Sequence, residues 1–588
     1  MRASLLRVLR RWGRAWSRQG ILVHLLQLVQ TESNSKGKRG LVMIQIDALS
    51  RMEFERAMAQ GDMPFLKHLL DKQHYRLSTL YPGLPCTTPR VQAELFYGER
   101  DAVPSFSFYD RSRDRIAMMY YPQDARHVEE ALQEHDPGLL GQGIAYSNIF
   151  TGGAREAHFC IAGLGLSDVL LKSRFISLLL LLVFHVASLL RTVVLMGIET
   201  LLALIDCLRG LFSGYDLWKE IKFVPSRVAV CVLLRDLVTI GAGLDVFRGM
   251  PVVHANLMGY HEQSHRRGPS SRFAHWTLKG IDRAVKRIYR AAQRSTLREY
   301  DVWIYADHGQ EETMPYHLVQ GCSMNKTLDT LLEIQAPSQP TNRQVHMGLL
   351  DRLGLSRWSI PESLSGGSGA QAVVTALGPY GHIYLPKYWD GDREALAVRL
   401  CEEGGVPLVM WRDGEGVVVH SQDRRYHLPQ EGKDLLQRDV PFLEEMVQDL
   451  VRACHHRHAG DLIICGWQGT RGPTLSFARE RGGHGGLGLR ETEAFALLPN
   501  HVVADETGKG YLRPRDLRRA AQAVLTPERV PAEHRQPVSP LARGARLRVM
   551  TYNVHSLPCV GAKTTKRTVC LGVSAASHMA GALSCALS

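Results

Sequence analysis

The stretch VWIYADHG at residues 302–309 decides the fold, because it is a hydrophobic strand pattern that ends in an acid and a histidine. A second hydrophobic run, LVMIQID at residues 41–47, has the same form and ends in Asp47. Between the two runs, residues 276–296 show helical periodicity. Strand, helix and strand predict an α/β fold with a central, mostly parallel sheet and helices on both faces. Chemistry gathers at the carboxyl ends of such strands, so the two polar strand ends are expected at one edge of the sheet.

The composition is that of a globular chain with more than one domain. Its 588 residues are too many for one ordinary domain and suffice for two or three. Apolar residues make up 45% and charged residues 22%, which excludes a disordered protein. The net charge of +13 suits a nucleic acid, an anionic membrane or an anionic substrate, and composition does not choose among them. The 11 cysteines include no C-x-x-C pair, which favours a reducing compartment over a disulfide framework.

Two segments indicate contact with a membrane. Residues 1–39 begin with a basic amphipathic stretch that suits either an anionic membrane surface or a solvated helix capping the domain. Residues 175–212 are the most apolar part of the chain, but each of their two runs is marginal for a span of roughly 20 residues. If the segments on either side build one site, a single crossing is excluded. A tight hairpin, an interfacial helix pair or a buried helical insertion remain, and we expect a membrane-associated protein that faces the cytoplasm.

Asp307 and His308 are the first candidate metal ligands. A carboxylate and an imidazole at a strand end can hold one divalent cation, and Gly309 lets the backbone turn away beneath it. The alternative is a polar turn. His484 is a further candidate because it lies in GGHGG at residues 482–486, where the glycines leave room for a metal or a phosphate. The alternative there is a flexible turn with an incidental histidine.

His261 and His265 are four residues apart and face the same way on a helix, so they can share a metal. The segment also matches H-E-x-x-H, in which Glu262 would be the general base of a zinc metalloprotease. That motif needs a stable helix, whereas Gly259 precedes this one and Gly268-Pro269 end it within about one turn. A metal-binding pair, a protease motif and two surface histidines therefore remain as alternatives.

Thr88 is the candidate nucleophile, within PCTTP at residues 85–89. A metal ion can lower the pKa of a threonine hydroxyl, as it does for bound water. Pro89 suits the first turn of a helix, whose N–H groups attract phosphate oxygens. An ordinary helix-capping threonine is the alternative.

These residues occur in the order seen in one known group. Over roughly residues 40–500, the chain resembles the type I phosphodiesterase and nucleotide pyrophosphatase branch of the alkaline phosphatase superfamily. The resemblance implies an alkaline phosphatase-like fold with two divalent metal ions, usually Zn²⁺, with Mn²⁺ as the alternative. It implies Thr88 as the nucleophile, with Thr87 as the fallback. It also implies two ligand sets, Asp47, Thr88, Asp307 and His308 for one metal and His261, His265 and His484 for the other.

The chain departs from the family pattern at two positions. The family usually has Asp where this chain has His261, so the site loses one negative charge while keeping a competent zinc ligand. The nucleotide pyrophosphatases have Asn where this chain has Val91, so we expect Arg90 or backbone N–H groups to contact the phosphate instead. Sulfatases share the fold but use C-x-P-x-R, and here the proline is one residue too far from Cys86 for that nucleophile.

The resemblance implies a metal-dependent hydrolase of phosphomonoesters or phosphodiesters that acts through a phosphothreonine intermediate. Membrane association extends the expected substrates to lipids or lipid-linked head groups, and no nucleic-acid partner is predicted. The alternatives are the metalloprotease and a catalytically weak membrane-bound scaffold.

The C-terminal part is expected to be separate from this domain. Residues 501–545 are rich in Arg, Pro and Ala and are predicted to be a linker. Residues 546–588 open with RLRVMTYNVHS, which resembles the first strand of an endonuclease/exonuclease/phosphatase domain, where the residue matching Asn553 helps hold a metal. The rest of such a domain is missing, so this segment is interpreted as a truncated start without activity.

Overall fold

The computed structural model divides the chain into two compact units, Met1–Pro527 and Glu528–Ser588. The predicted N-terminal amphipathic segment lies outside the described residues. The structure describes residues 39–72, 74–164, 186–212, 228–332, 372–421, 424–505, 508–525, 548–553 and 567–572.

A seven-stranded sheet forms the centre of the first unit, with the strand order β2-β18-β8-β1-β7-β5-β6. β1 pairs in parallel with both β7 and β8, and β18 is the antiparallel member, lying between β8 and β2. The predicted α/β fold with a central, mostly parallel sheet is therefore confirmed. The strands of this sheet are β1 Arg39–Ile46, β2 Tyr75–Leu80, β5 Ile144–Tyr146, β6 Glu156–His158, β7 Val252–Leu257, β8 Glu299–Tyr305 and β18 Ala494–Pro499.

The central strands are hydrophobic because both faces of the sheet are covered. Every residue of β1 after Arg39 is buried, and β7 is buried throughout. A continuous apolar run of this kind is typical of parallel strands with helices on each side. The helix predicted at residues 276–296 is confirmed as Arg272–Gln293, whose first turn is capped by the Ser271 side chain.

Helices are numbered here in chain order. They are α1 Arg51–Gln60, α2 Pro64–Lys72, α3 Thr88–Tyr97, α4 Pro122–Gln133, α5 Val186–Phe212, α6 Arg235–Arg248, α7 Gly259–Arg267, α8 Arg272–Gln293, α9 Tyr316–Gln320, α10 Met324–Leu331, α11 Arg393–Glu402, α12 Gly432–Leu436, α13 Leu443–His455, α14 Leu489–Thr492 and α15 Pro514–Leu525. A π-helical turn, Ala229–Leu234, leads directly into α6.

A second, six-stranded sheet has the order β10-β11-β15-β12-β13-β14, and the paired strands described in it are antiparallel. Its two faces are covered by separate hydrophobic clusters. Its strands are β10 Val373–Ala376, β11 Tyr380–Tyr384, β12 Leu408–Asp413, β13 Gly416–Ser421, β14 Arg425–Leu428 and β15 Leu462–Cys465. The remaining strands of the first unit are β3 Ser107–Asp110, β4 Arg115–Met118, β9 Glu311–Pro315, β16 Thr474–Ser476 and β17 Gly482–Gly483.

The linker predicted at residues 501–545 is wrong for its first half. Leu512 bridges to Leu80 at the end of β2, and α15 packs against α3 and β1. Arg513 is buried in an ion pair with Glu94, which fixes this segment to the helix that begins at Thr88. The alternation of arginine and alanine that suggests a linker is instead an amphipathic helix, with Leu517 and Ala521 on its buried side.

The second unit contains one antiparallel strand pair among its described residues, β19 Arg548–Asn553 and β20 Arg567–Gly572. The opening strand predicted for residues 546–588 is present. The resemblance to an endonuclease/exonuclease/phosphatase domain stays a prediction.

The predicted apolar insertion at 175–212 is described only from α5 onwards, since residues 175–185 lie outside the described part. Among the described helices, none has both the length and the apolar character that a membrane span requires.

Candidate metal centre and nucleophile

Three adjacent strands carry most of the candidate residues to one edge of the central sheet. Asp47 follows β1 directly, and Asp307 comes two residues after the end of β8. The register pairs Gln45 with Tyr305, so both acids leave the sheet at the same level. On the other side of β1, β7 leads into α7, which carries the histidine pair. The predicted meeting of the polar strand ends follows from this parallel arrangement.

Thr88 reaches the same edge from the first turn of α3. Thr87 takes the extended conformation of a cap residue, and Pro89 occupies the first turn, as predicted. The Thr88 side chain is buried, and its Oγ1 lies 3.2 Å from His308 Nε2. The hydroxyl therefore adjoins His308 at a helix N-terminus, where backbone N–H groups favour negative charge.

Asp47, Asp307 and His308 form a buried cluster, here called the acid cluster, whose ligand atoms lie within 4.8 Å of one another. The Asn256 amide donates to Asp47 Oδ2, and the Ala48 N–H donates to Asp307 Oδ1. Among the described residues, Asp47 Oδ1 and Asp307 Oδ2 have no hydrogen-bond partner.

Two carboxylates buried side by side are unfavourable unless a positive charge lies between them. Burial, and then the charge of Asp307, raises the pKa of Asp47 well above its usual value. The two carboxylate oxygens without a hydrogen-bond partner are hard donors and the His308 imidazole is a borderline donor, and a divalent cation binds both kinds. The donor set of the acid cluster therefore fits a metal ion.

His261, His265 and His484 form a second group, the histidine cluster. His265 Nε2 lies 2.8 Å from His261 Nε2, which in turn lies 3.2 Å from His484 Nε2. In a tetrahedral zinc site with Zn–N bonds of about 2.05 Å, two ligand nitrogens are about 3.3 Å apart. The three nitrogens thus converge nearly as three ligands of one metal would.

Hydrogen bonds on the far side of each ring fix this orientation. His265 Nδ1 donates to Glu480 Oε2 at 2.7 Å, and His484 Nδ1 donates to the Cys86 carbonyl oxygen at 2.8 Å. The Nε2 lone pairs of His265 and His484 then point at the same space. Because lone pairs repel one another, this arrangement is favourable when a cation lies between them.

Burial and the neighbouring histidines keep His261 and His484 neutral. Burial, and then the neighbouring histidines, lowers the pKa of His261 and His484 well below the usual value. For His265, burial opposes the charged form, but the Glu480 carboxylate outweighs it and raises the pKa. Neutral His261 and His484 are ready to bind a metal, and Glu480 increases the basicity of His265 as a ligand.

The two clusters adjoin each other. His261 Nδ1 lies 3.6 Å from Asp47 Oδ1, and the rings of His308 and His484 stack with centroids 4.1 Å apart. The structure therefore brings together all seven residues that the sequence predicted, and His261 occupies the border between the clusters. His261 directs Nδ1 toward the acid cluster and Nε2 toward the histidine cluster. An aspartate at this position would have added a negative charge.

Three supporting groups were missed in the sequence: Asn256, Glu480 and the Cys86 carbonyl. Asn256 carried a usable signal, since it is a polar residue inside the hydrophobic run of β7. Glu480 precedes His484 by four residues, but nothing local distinguishes it from a surface acid.

The predicted role of Arg90 is wrong, because its buried guanidinium lies 3.4 Å from Asp449 and 3.5 Å from Asp101 in ion pairs. These two acids hold the guanidinium of Arg90 in place.

Replacing Glu480 with glutamine is expected to weaken Zn²⁺ binding about 10- to 100-fold, because a neutral amide polarises His265 less than a carboxylate does. Competition with a chromogenic chelator measures the affinity. Glu403→Gln, in an exposed ion pair with Arg399, is the matched control and should bind Zn²⁺ as the wild type does. Equal affinities for the wild type and Glu480→Gln would contradict the proposed support of His265.

Neither a family model nor a curated protein sequence matches this chain. Among solved structures, it is similar to phosphonoacetate hydrolase from Sinorhizobium meliloti 1021 in complex with phosphonoacetate, with a TM-score of 0.43 and 14% identity over 83% of this chain and 96% of that chain. It is also similar to murine ectonucleotide pyrophosphatase/phosphodiesterase 5 in complex with AMP, with a TM-score of 0.40 and 8% identity over 83% of this chain and 95% of that chain. Similarity at this level says nothing about activity, which has to be inferred from the residues of the site.

Proposed function

We propose that the chain is a hydrolase of phosphomonoesters or phosphodiesters that uses Thr88 as its nucleophile and two divalent metal ions, Zn²⁺ or alternatively Mn²⁺. One observation carries the proposal: the Thr88 hydroxyl lies 3.2 Å from His308 Nε2, beside two adjoining groups of metal-ligating side chains. Asp47, Asp307 and His308 would hold one ion, with Thr88 Oγ1 as a further ligand. His261, His265 and His484 would hold the other.

In the proposed reaction, Thr88 Oγ1 forms a bond to phosphorus while the bond from phosphorus to the leaving oxygen breaks. The hydroxyl proton passes to solvent, and the leaving alkoxide takes up a proton to become an alcohol. Water then attacks the phosphothreonine, which releases the phosphate and restores the Thr88 hydroxyl. The N-terminus of α3 stabilises the phosphate oxygens in both steps. Bound divalent ions would supply the positive charge that lowers the pKa of Thr88 and neutralises the phosphate.

Metal removal tests this proposal directly. Dialysis against a chelator is expected to lower turnover of p-nitrophenyl phosphate and bis-p-nitrophenyl phosphate by at least about 100-fold. Adding back about two equivalents of Zn²⁺ or Mn²⁺ should restore it, since the site has two ligand groups. The ratio of the two rates with the native metal then distinguishes a monoesterase from a diesterase.

Three other results would contradict the proposed function. Turnover that survives complete metal removal would exclude the metal-dependent reaction. Metal binding without turnover of any phosphate ester would favour the scaffold. Cleavage of casein that is lost in Glu262→Gln would favour the metalloprotease instead.

A further inference from the structure

Helix α5 exposes aliphatic side chains and buries polar ones, the reverse of the usual arrangement in a water-soluble domain. Seven of its described aliphatic side chains are exposed, including Leu190, Val193 and Leu201 at 62%, 63% and 60%. Two of its polar residues, Thr192 and Glu199, are buried instead. A surface helix of a globular protein normally places its apolar stripe on the core and its polar residues in water.

The exposed residues form one continuous stripe, here called the aliphatic face of α5. Their spacing of three and four residues places them on one side of the helix over 15 residue steps, which is about 22 Å. Among the side chains of α5 that the structure describes, those that form the stripe are all aliphatic. Its members are Leu190, Val193, Val194, Ile198, Leu201, Leu204 and Ile205.

On its opposite side, α5 contacts the rest of the first unit. Thr192 donates a hydrogen bond of 2.6 Å to Asp236 Oδ2 in α6, and α5 packs against the π-helical turn Ala229–Leu234. Cys231 in that turn lies 3.4 Å from the Gly259 carbonyl oxygen, at the start of the helix that carries His261 and His265. The π-helical turn therefore connects α5 with the helix of the histidine cluster.

We infer that the aliphatic face of α5 docks on an anionic lipid bilayer and lies in its interface, with the catalytic unit on the water side. A stripe made only of Leu, Val and Ile suits fluid hydrocarbon, whereas the cores of protein interfaces are enriched in aromatic residues and Arg. Charge complementarity comes from residues 1–38, where eight Lys or Arg face one acidic residue, a composition that attracts an anionic membrane. Because the π-helical turn contacts both α5 and α7, a bilayer at α5 would bring phosphate esters of the head-group layer near the site. That last step rests on the proposed function.

Vesicle binding of the full-length protein tests this inference. Vesicles contain phosphatidylcholine alone or with about a third of phosphatidylglycerol, and binding is measured by co-sedimentation. We expect the wild type to bind the anionic vesicles, and Val194→Glu/Leu201→Glu to bind them at least 10-fold more weakly because a charged face resists burial in lipid. The matched control, Leu318→Glu/Val503→Glu, alters equally exposed apolar residues elsewhere and should bind as the wild type does.

A second measurement covers the case in which the charged variant folds poorly. In Leu201→Trp, tryptophan fluorescence should be quenched by brominated lipids beyond the level seen in Val503→Trp, since both share the same nine native tryptophans. Equal quenching in the two variants would overturn the docking. Binding by Val194→Glu/Leu201→Glu that matches the wild type would overturn it as well.

Two further outcomes identify other occupants of the aliphatic face. A wild-type dimer that the charged variant converts to monomer, without vesicle binding, would assign the face to a second copy and overturn the inference. A lower melting temperature of the charged variant with no wild-type vesicle binding would assign it to another segment of this chain, with the same consequence. Turnover of p-nitrophenyl esters, measured in parallel, is expected to be unchanged in all variants. Vesicle binding without any turnover would support the docking while the proposed function fails.

Discussion

Replacing Thr88 with alanine is expected to lower kcat for p-nitrophenyl esters on the order of 10³-fold or more, because the reaction loses its nucleophile. The Thr88 Oγ1 lies beside His308 at the N-terminus of α3, which places it where a phosphate would be held. Residual turnover would come from water and the remaining positive charge of the site. The measurement is a steady-state rate with metal-loaded protein, beside a trapping experiment that detects the phosphothreonine after acid quench.

The neighbouring threonine provides a matched control. Thr87 is also buried, but its hydroxyl makes no capping hydrogen bond to α3 and has no hydrogen-bond partner among the described residues. Thr87→Ala should therefore keep turnover within about 10-fold of the wild type, while Thr88→Ser, which restores a hydroxyl, should recover most of the loss. If instead Thr87→Ala abolishes turnover and Thr88→Ala does not, the nucleophile is Thr87.

Replacing Asp307 with asparagine is expected to remove the metal of the acid cluster and to lower turnover by at least about 100-fold. The amide keeps a carbonyl oxygen for the Ala48 N–H, so the local fold survives. It removes the charge of the carboxylate that faces Asp47. Metal content by elemental analysis should fall by one ion per chain, with the histidine cluster still loaded.

Although Asp307→Asn is expected to impair metal binding and turnover, it should stabilise the metal-free protein. Because Asp47 and Asp307 are buried together, removing one charge relieves their repulsion, so chelator-treated Asp307→Asn should melt at a higher temperature than the chelator-treated wild type. With Zn²⁺ added, the order should reverse, since the wild type gains more from binding. Asp282→Asn is the control, a buried acid that accepts from the Phe65 and Leu66 N–H groups away from the site, and it should keep its full metal content. A wild-type metal content in Asp307→Asn would contradict the assignment of the acid cluster.

Much of the site was predictable because its signals are local. Asp47, Asp307 and His308 each follow a hydrophobic run that can only be a buried strand, and parallel strands bring their carboxyl ends together. His261 and His265 share a helix turn, so their spacing alone places them side by side. Thr88 is marked by a proline that starts a helix.

The supporting contacts were not predictable in the same way, because they join residues far apart in the chain. Arg90 forms an ion pair with Asp449 of α13, 359 residues further along the chain, instead of contacting a phosphate. Residues 511–525, predicted to be part of a linker, return to the central sheet because an amphipathic helix there covers α3 and β1. Neither pairing leaves a signature in the neighbouring sequence.

The sequence by itself predicted the parallel α/β sheet and the polar ends of its strands at Asp47 and Asp307-His308, since these patterns depend only on neighbours in the chain. The resemblance of the motifs to a known family added the roles of Thr88, His261, His265 and His484. The tertiary structure alone decided how they are held: Glu480 behind His265, the Cys86 carbonyl behind His484 and Asn256 beside Asp47. It also decided that the aliphatic face of α5 points outward. Which side of a helix is covered depends on what packs against it, and hydrophobic spacing predicts a face without saying what it meets.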